Sequence, residues 1–321
     1  YINEVISYQK TCSQITDVKL VLSDFKVNKE LFNSKDTYLY QYVRKPKYFL
    51  KAMKQIQHVI RIEKPDIIHI HSTFAGAFVR LPLILKKNRP KIIYCPHGWS
   101  FTMEIANWKK KIYAYIERFL ALKTDVIINI SKHEFEKSLA FNLPKQKSTV
   151  IYNGITDSLA SQNEVDLHLD NNKINLLFVG RFDRQKGLDV LLDFFRKYNL
   201  EHIHLFIIGD SVLQKSELNV PKNVTLIGWV DNKVIHSYYQ LFDAVIVPSR
   251  WEGFGLVAIE AMKNYKALIV SDRGALPELV VDGHNGYIFN LENEDSLLSI
   301  LSTINKRDLK DMGENGHCIF K

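Results

Sequence analysis

The feature that most constrains this chain is an alternation that runs from one end to the other. Short apolar runs rich in Val and Ile are each followed by a stretch whose apolar residues recur at helical spacing. In the first half the runs lie at 18–22, 66–72, 91–95, 125–131 and 148–154, and the spacing predicts helices over 48–63, 74–87, 108–123 and 132–141. The second half restarts the scheme with runs at 174–180, 202–210, 223–230, 243–249, 266–272 and 286–289, and helical patterns at 187–198, 232–242, 256–263 and 294–304. Strands that are apolar throughout, separated by helices, specify parallel sheets covered on both faces. In such sheets ligands gather at the carboxyl ends of the strands. On helix 48–63 the residues Phe49, Ala52, Met53, Ile56, Val59 and Ile60 share one face. On helix 108–123 the residues Ile112, Ile116, Phe119 and Leu120 are expected to point inward.

With 321 residues there is enough chain for two domains. The boundary is expected in the polar stretch 158–173, giving domains 1–157 and 174–321. Hydrophobic residues make up 46% and charged residues 24%, a globular composition, and no apolar run reaches the length of a membrane span. Cys12, Cys95 and Cys318 are scattered and odd in number, which argues against a disulfide framework or a zinc site and for a reducing compartment. The net charge of +8 is unevenly shared: residues 1–157 carry 26 Lys+Arg against 13 Asp+Glu, the remainder 17 against 22. A basic half suggests an anionic partner. Its cations cluster at Arg44, Lys45 and Lys47, at Lys51 and Lys54, at Lys86, Lys87 and Arg89, and at Lys109, Lys110 and Lys111, with aromatics such as Tyr48, Phe101 and Trp108 between them. These are either solvated helix faces or a surface for anionic lipid. No nucleic-acid recognition motif accompanies the charge.

The chemistry concentrates in Pro248–Met262, "PSRWEGFGLVAIEAM". A buried strand leads into a tight loop and then a helix start. Gly253 and Gly255 allow close backbone approach, and the first amides of the helix, at Gly255, Leu256 and Val257, face out of its positive end, which suits a phosphate. Glu252 lies in the loop and Glu260 two turns along the helix. One carboxylate beside a phosphate and one able to accept from hydroxyls is a layout for a nucleotide-sugar.

This string, with "LLFVGRFDRQKGLDVLL" at 176–192 and "SDRGALPELVVDGHNGYIF" at 271–289, resembles the retaining, group 1 (glycogen-synthase-like) glycosyltransferases, whose E-x7-E motif Glu252 and Glu260 match. The resemblance implies the GT-B architecture, two Rossmann-like α/β domains facing a central cleft, the first binding the acceptor and the second the nucleotide-sugar. It implies a hexosyltransferase that uses a UDP- or GDP-sugar, with no cofactor and no metal. Arg181 and Lys186 would clamp the diphosphate and neutralise charge on the leaving nucleotide. His97, in the loop "PHGWS", would hydrogen-bond the sugar or the reaction centre. Glu252 would hold the transferred sugar and Glu260 the ribose, with Gly180, Gly209, Asp210, Val230, Gly253, Phe254, Gly255 and Leu256 lining the donor. Ser131, Asn153 and Gly154 match positions that line the cleft, although a cap and a turn explain them as well. His69 and His71 share a strand face, a conceivable metal pair without a third ligand at hand.

Relatives of this kind build O-antigen, capsule or lipopolysaccharide on lipid carriers. That implies a glycan or lipid-linked acceptor and a cytoplasmic place, peripheral to the inner face of a bacterial plasma membrane. The family opens with a strand and a glycine-rich turn and closes with further helices, so the chain reads as a fragment. Three rivals stand beside the transferase: a nucleotide-sugar epimerase of the same architecture, a phosphorylase, and a non-catalytic sugar- or lipid-binding protein.

Overall fold

The computed structural model describes residues 2–25, 34–43, 45–157, 165–210 and 220–321. Arg44, and residues 158–164 of the expected linker, lie outside them. The chain divides into two compact units, one of residues 1–130 with 134–152, the other of residues 131–133 with 153–321.

The first unit opens with helix α1 (Ile2–Thr11) and a parallel pair, β1 (Leu20–Ser23) and β2 (Thr37–Tyr40), in which Leu20 aligns with Thr37. Helix α2 (Phe49–Glu63) leads to β3 (Ile67–His71), α3 (Thr73–Arg80), β4 (Lys91–Cys95), α4 (Asn107–Ala121), β5 (Val126–Asn129), α5 (Lys132–Ala140) and β6 (Ser148–Val150). Strands β3 to β6 form a parallel sheet in chain order. Its core gathers Ile56, Ile70, Phe78, Leu83, Ile92, Tyr94, Trp99, Phe101 and Ile127.

Three sequence expectations are corrected in this unit. The helix expected over 74–87 stops as an α-helix at Arg80 and continues only as a 3-10 turn, Leu81–Leu83, with Pro82 in it; proline offers no N–H and clashes with the turn before it. Strand β2 has no counterpart in the apolar-run reading. On α4, Leu120 is buried but Ile112, Ile116 and Phe119 are turned outward, and the buried positions are Ala114, Glu117, Leu120 and Ala121. The cause is a buried charge. Arg80 is fully buried, and its guanidinium donates to Glu117 Oε2 at 2.8 Å, to Thr124 Oγ1 at 3.3 Å and to the Gly76 carbonyl at 3.0 Å. The Tyr94 ring lies 3.7 Å from it, and the Tyr94 hydroxyl donates to Glu117 Oε1 at 3.0 Å.

The second unit runs β7 (Ile174–Val179), α6 (Leu188–Lys197), β8 (Ile203–Ile208), β9 (Val224–Gly228), α7 (Ile235–Leu241), β10 (Ala244–Val247), α8 (Leu256–Lys263), β11 (Ala267–Ser271), α9 (Leu276–Leu279), β12 (Gly286–Phe289), α10 (Glu294–Thr303) and α11 (Lys306–Phe320). The last helix was not expected from the sequence. Its polar residues hide a face that buries Leu309, Met312, Gly313, Gly316 and His317. The strands form one parallel sheet in the order β12-β11-β10-β7-β8-β9. Chain order grows outward in both directions from β7 and β10, which is the doubly wound dinucleotide-fold order. Strands β10 and β11 are buried at every residue, as a sheet covered on both faces requires. Among the described residues no helix is long and apolar enough to cross a membrane.

Candidate active site

The reversal of strand order between β7 and β10 sets where the second unit can hold a ligand. Loops leaving the carboxyl ends of two such strands diverge to opposite sides of the sheet, and ligands bind between them. Here those loops are 180–187 and 248–255. They are laced together. The Arg250 amide donates to the Gln185 carbonyl at 2.8 Å, and the Gln185 side chain donates to the Trp251 carbonyl at 3.1 Å. The Arg250 guanidinium reaches both carboxylate oxygens of Asp189 at 2.7 Å. Gly187 has φ +71°, and a Cβ there would stand 2.1 Å from the Pro248 carbonyl oxygen. Only glycine permits this approach. Gly209, beyond β8, plays the same part against β7: its Cβ would stand 1.9 Å from the Gly180 carbonyl oxygen.

Between the two loops Lys186 Nζ donates to Glu252 Oε2 at 2.6 Å, and the Ser249 hydroxyl donates to the same oxygen at 3.3 Å. The Lys186 and Glu252 side chains are 18% and 12% exposed, so the pair sits at the rim, within reach of a ligand yet partly shielded from water. The Glu252 carbonyl accepts from the Ala275 amide at 3.0 Å, and the Ser249 carbonyl accepts from the Ser271 hydroxyl at 2.7 Å, so β11 and its loop hold the turn from behind. Gly253 and the buried Phe254 carry the chain to Gly255, which caps α8 at φ +100°. The N–H groups of Leu256 and Val257 in the first turn have no intrahelical acceptor.

Glu260, on α8, accepts from the Tyr239 hydroxyl at 2.9 Å. Burial holds its carboxyl above the usual range, against the tyrosine hydrogen bond and the nearby lysines, which pull it down. Arg181 is more than half exposed and pairs with Asp183 at 3.1 Å, also donating to Gln185 at 3.2 Å. Asp210 is exposed and its carbonyl accepts from the Phe182 amide at 3.1 Å; Val230 follows β9 behind the exposed Trp229. Thus the structure brings Lys186 to Glu252, which the sequence did not pair, and gives Arg181 a different carboxylate.

His97 stands in the first unit, beyond β4, with φ +53°. A non-glycine residue in the left-handed region is strained, and such strain clusters at functional sites. Its loop is pinned where the buried Glu134 accepts from the Trp99 amide at 3.2 Å and Asn129 accepts from the Trp99 indole at 2.9 Å. His97 Nε2 and His71 Nδ1 are 2.7 Å apart and share one proton. Burial pushes His97 down to about 4 and His71 to about 3, so both rings are neutral at pH 7. The buried Cys95 thiol, pushed up to about 12 by burial, has its sulfur within 4.8 Å of both. The third group that the sequence did not supply for a histidine pair is therefore present, though on His71 rather than on both strand histidines. At 2.7 Å the two nitrogens are hydrogen-bonded. Two nitrogens on one zinc at about 2.0–2.1 Å with tetrahedral angles would stand farther apart, at about 3.3 Å.

The comparisons with known proteins follow the same lines. The family described as Glycosyl transferases group 1 matches residues 161–317, and Glycosyltransferase Family 4 matches residues 26–159. An uncharacterized 41.2 kDa protein in the cps region of Klebsiella pneumoniae is 39% identical over 79% of this chain and 72% of its own length. An uncharacterized glycosyltransferase of Methanocaldococcus jannaschii is 34% identical over 84% of this chain and 74% of its own. The chain belongs to the glycosyltransferases. A further relative of this glycosyltransferase, 26% identical over 78% of this chain and 69% of its own, is the Escherichia coli UDP-Gal:alpha-D-GlcNAc-diphosphoundecaprenol alpha-1,3-galactosyltransferase. Among solved structures, sucrose-phosphate synthase from Thermosynechococcus elongatus superposes with a TM-score of 0.77 at 22% identity, over 90% of this chain and 79% of that one. The lipopolysaccharide outer core galactosyltransferase WaaB does so with a TM-score of 0.70 at 19% identity, over 99% and 88%. These likenesses show the fold, GT-B with two parallel-sheet units.

Some residues of the candidate site were not singled out in the sequence. Ser249 and Ser271 lie inside the quoted strings, and hydroxyls flanking the motif glutamate were the available signal. Gln185 sits in the same loop as Lys186. Tyr239 carries no local signal: it lies on α7, and only the sheet order brings it to Glu260.

Proposed function

We propose that this glycosyltransferase is retaining, and that it moves a sugar from a UDP- or GDP-sugar to a glycan or lipid-linked acceptor in bacterial surface polysaccharide synthesis. The observation that carries the reading is the Lys186–Glu252 pair at the mouth of α8, where strand order reverses. A lysine partly shielded from water, next to unpartnered helix amides, is a seat for a diphosphate. Glu252 beside it is a hydrogen-bond acceptor for sugar hydroxyls. In the transfer, the bond from the anomeric carbon to the diphosphate oxygen breaks and a bond from that carbon to the acceptor oxygen forms. The acceptor proton leaves to the departing phosphate, whose charge Lys186 and Arg181 offset. Glu252 already has one oxygen engaged by a lysine and a serine. Such a carboxylate is a weak nucleophile, which supports same-face displacement over a covalent intermediate. Glu260, tied to Tyr239, would hold the ribose, and His97, a neutral ring, would donate to or accept from the sugar. The Escherichia coli relative's name supplies a UDP-sugar donor and a diphospho-lipid acceptor as a chemical precedent.

The test is thermal stability against UDP, GDP, ADP and their sugars, with the ligand stabilising only the folded state. One nucleotide series is expected to raise the melting temperature of the wild type and to do so far less in Lys186→Ala. EDTA is expected to leave both the shift and the transfer of labelled sugar intact. No shift with any nucleotide, or an equal shift in Lys186→Ala, overturns the assignment of this loop.

A further inference from the structure

Parallel register brings three metal-binding side chains to one strand end. His71 closes β3 and Cys95 closes β4, and the two are direct partners across the sheet, so their side chains stand on the same face. The Ser72 amide donates to the Cys95 carbonyl at 3.1 Å and fixes that register. Beyond Cys95 the chain turns through Pro96 and brings His97 back to the other two, with φ +53° at His97 and +118° at Gly98. Ser72, the residue after His71, is also left-handed, at φ +85°. Backbone strain of this kind persists where ligands are clamped. Among the described residues this is the one group of three His, Cys, Asp or Glu side chains whose ligand atoms all lie within 4.8 Å of one another. Two further contacts suit an ion. The His97 amide donates to the Cys95 sulfur, a bond that favours thiolate over thiol. The buried Glu134 carboxylate lies near enough for its charge to act on the same sulfur. A divalent ion with one thiolate carries a net positive charge, and Glu134 brings the group to zero, as burial requires.

We propose that His71 Nδ1, Cys95 Sγ and His97 Nε2 form a site for one zinc ion, open at its fourth position, and that the bound ion draws His97 away from the sugar. Imidazole and thiolate are a donor set of zinc, and three protein ligands with an open fourth position are a common arrangement. Zinc requires about 3.3 Å between the nitrogens and about 3.6 Å from each nitrogen to the sulfur. The nitrogens, hydrogen-bonded at 2.7 Å, must part by about 0.6 Å, and the sulfur must close by at most about 1.2 Å. Both rings are half-buried, so small turns of their side chains supply these shifts. The protons balance. The thiol releases one to solvent, and the proton shared by the rings moves to the other nitrogen of the ring that carries it, leaving both imidazoles neutral. Bound there, the ion opposes transfer rather than serving it. That inhibitory half rests on the proposed contact of His97 with the sugar, whereas the zinc site itself does not.

The experiment is a cobalt(II) titration of the full chain. It is read by thiolate-to-cobalt charge-transfer absorption in the near ultraviolet and by the strong visible bands of a four-coordinate ion, and zinc is then added in competition. The Cys12→Ser/Cys318→Ser variant keeps Cys95 as its one thiol. Cys95→Ala and His71→Gln each remove a ligand, urea midpoints verify the fold, and His71→Gln decides the matter if Cys95→Ala proves unstable. The wild type and the two-serine variant are each expected to take up one cobalt with both signatures, which zinc abolishes. Cys95→Ala is expected to lose the charge-transfer band. His71→Gln is expected to bind more weakly by over about 100-fold, more than the loss of an outer partner costs. Absence of the charge-transfer band in the two-serine variant overturns the proposal, as does uptake equal to the wild type by Cys95→Ala or His71→Gln. Saturating zinc is expected to abolish most of the transfer of labelled sugar by the wild type, with EDTA restoring it, and to leave transfer by Cys95→Ala as it was. Unchanged wild-type transfer at saturating zinc overturns the withdrawal of His97. The cobalt titration uses neither donor nor acceptor, and the nucleotide-dependent melting shift reads the transferase assignment separately, so the two can fail independently.

Discussion

Gly187→Ala tests whether the close approach of two loops is what assembles the site. The substitution acts twice. It places alanine at φ +71°, and it sets a Cβ 2.1 Å from the Pro248 carbonyl oxygen. Gly283→Ala is the matched control in the same unit, with φ +74° and nothing within 4 Å of the added Cβ. The control carries the backbone cost alone, about 1–2 kcal/mol. Gly187→Ala carries that cost and an overpacking cost of roughly 1–3 kcal/mol besides. The loops must part by about 1 Å to restore an ordinary contact. They carry Lys186 and Glu252, now 2.6 Å apart, and a separation of that size takes the pair out of hydrogen-bonding range. A 1 Å misplacement costs about 100-fold in transfer. Urea unfolding followed by tryptophan emission, with Trp251 in the loop itself, measures the stability difference, and transfer of labelled sugar measures the rest. If the two variants unfold at the same urea concentration and turn over alike, the loops yield without cost and the reasoning fails.

Glu252→Gln keeps the shape of the site and removes the charge that Lys186 neutralises; transfer is expected to drop at least 100-fold, with the nucleotide melting shift retained, and near-normal turnover would refute the role. Glu117→Ala leaves the Arg80 guanidinium buried without its anion, at a cost of about 3–5 kcal/mol, read as a fall in the urea midpoint; Arg80→Met/Glu117→Leu is expected to recover most of it, and a single variant as stable as the wild type contradicts the network. The neutral pair His71 and His97 makes stability pH-dependent. Both are held below the ordinary 6.5, at about 3 and about 4, so the unfolded chain binds more protons than the folded one between those values and 6.5. Their contribution is therefore complete above pH 6.5 and is lost as the pH falls toward 4 and then 3. For His97 it amounts to at most about 3 kcal/mol, reduced by its partial contact with solvent. A midpoint flat from pH 7 to 4.5, or the same slope in a His71→Gln/His97→Gln variant, contradicts it.

The parallel sheets were legible because a strand buried on both faces has to be apolar over most of its length, as at 174–179, where Asn175 is the one polar residue, and at 244–247. Strand β2 escaped because Thr37–Tyr40 has neither a full apolar run nor long alternation; it is a strand only because β1 lies beside it. Within the site, Glu252, Gly255 and Leu256 are neighbours in sequence, so a loop and a helix start placed them. Lys186 lies 66 residues from Glu252, and its contact depends on β7 and β10 being adjacent, a fact of sheet order rather than of spacing. The Tyr239–Glu260 bond is of the same kind. Local chemistry was readable, while contacts created by topology were not.

Helix α4 shows the limit most plainly, because its periodicity was read correctly and its direction was not. Apolar residues at helical spacing define a stripe, but a stripe says nothing about what it faces. The direction is set by one buried cation on another helix. Arg80 is enclosed by Gly76, Tyr94, Thr124 and Glu117, and its charge is tolerable there only with an anion in hydrogen-bonding contact. Glu117 supplies that anion, so position 117 must face the core, and the small residues Ala114 and Ala121 on the same face let the helix come close. Position 117 lies about half a turn of the wheel from Trp108, Ile112 and Phe119. Once Glu117 is inward those side chains are necessarily outward, whatever their hydrophobicity. The outward stripe thus follows from electrostatics in the core, and its cost in exposed apolar surface is recovered only where something less polar than water covers it.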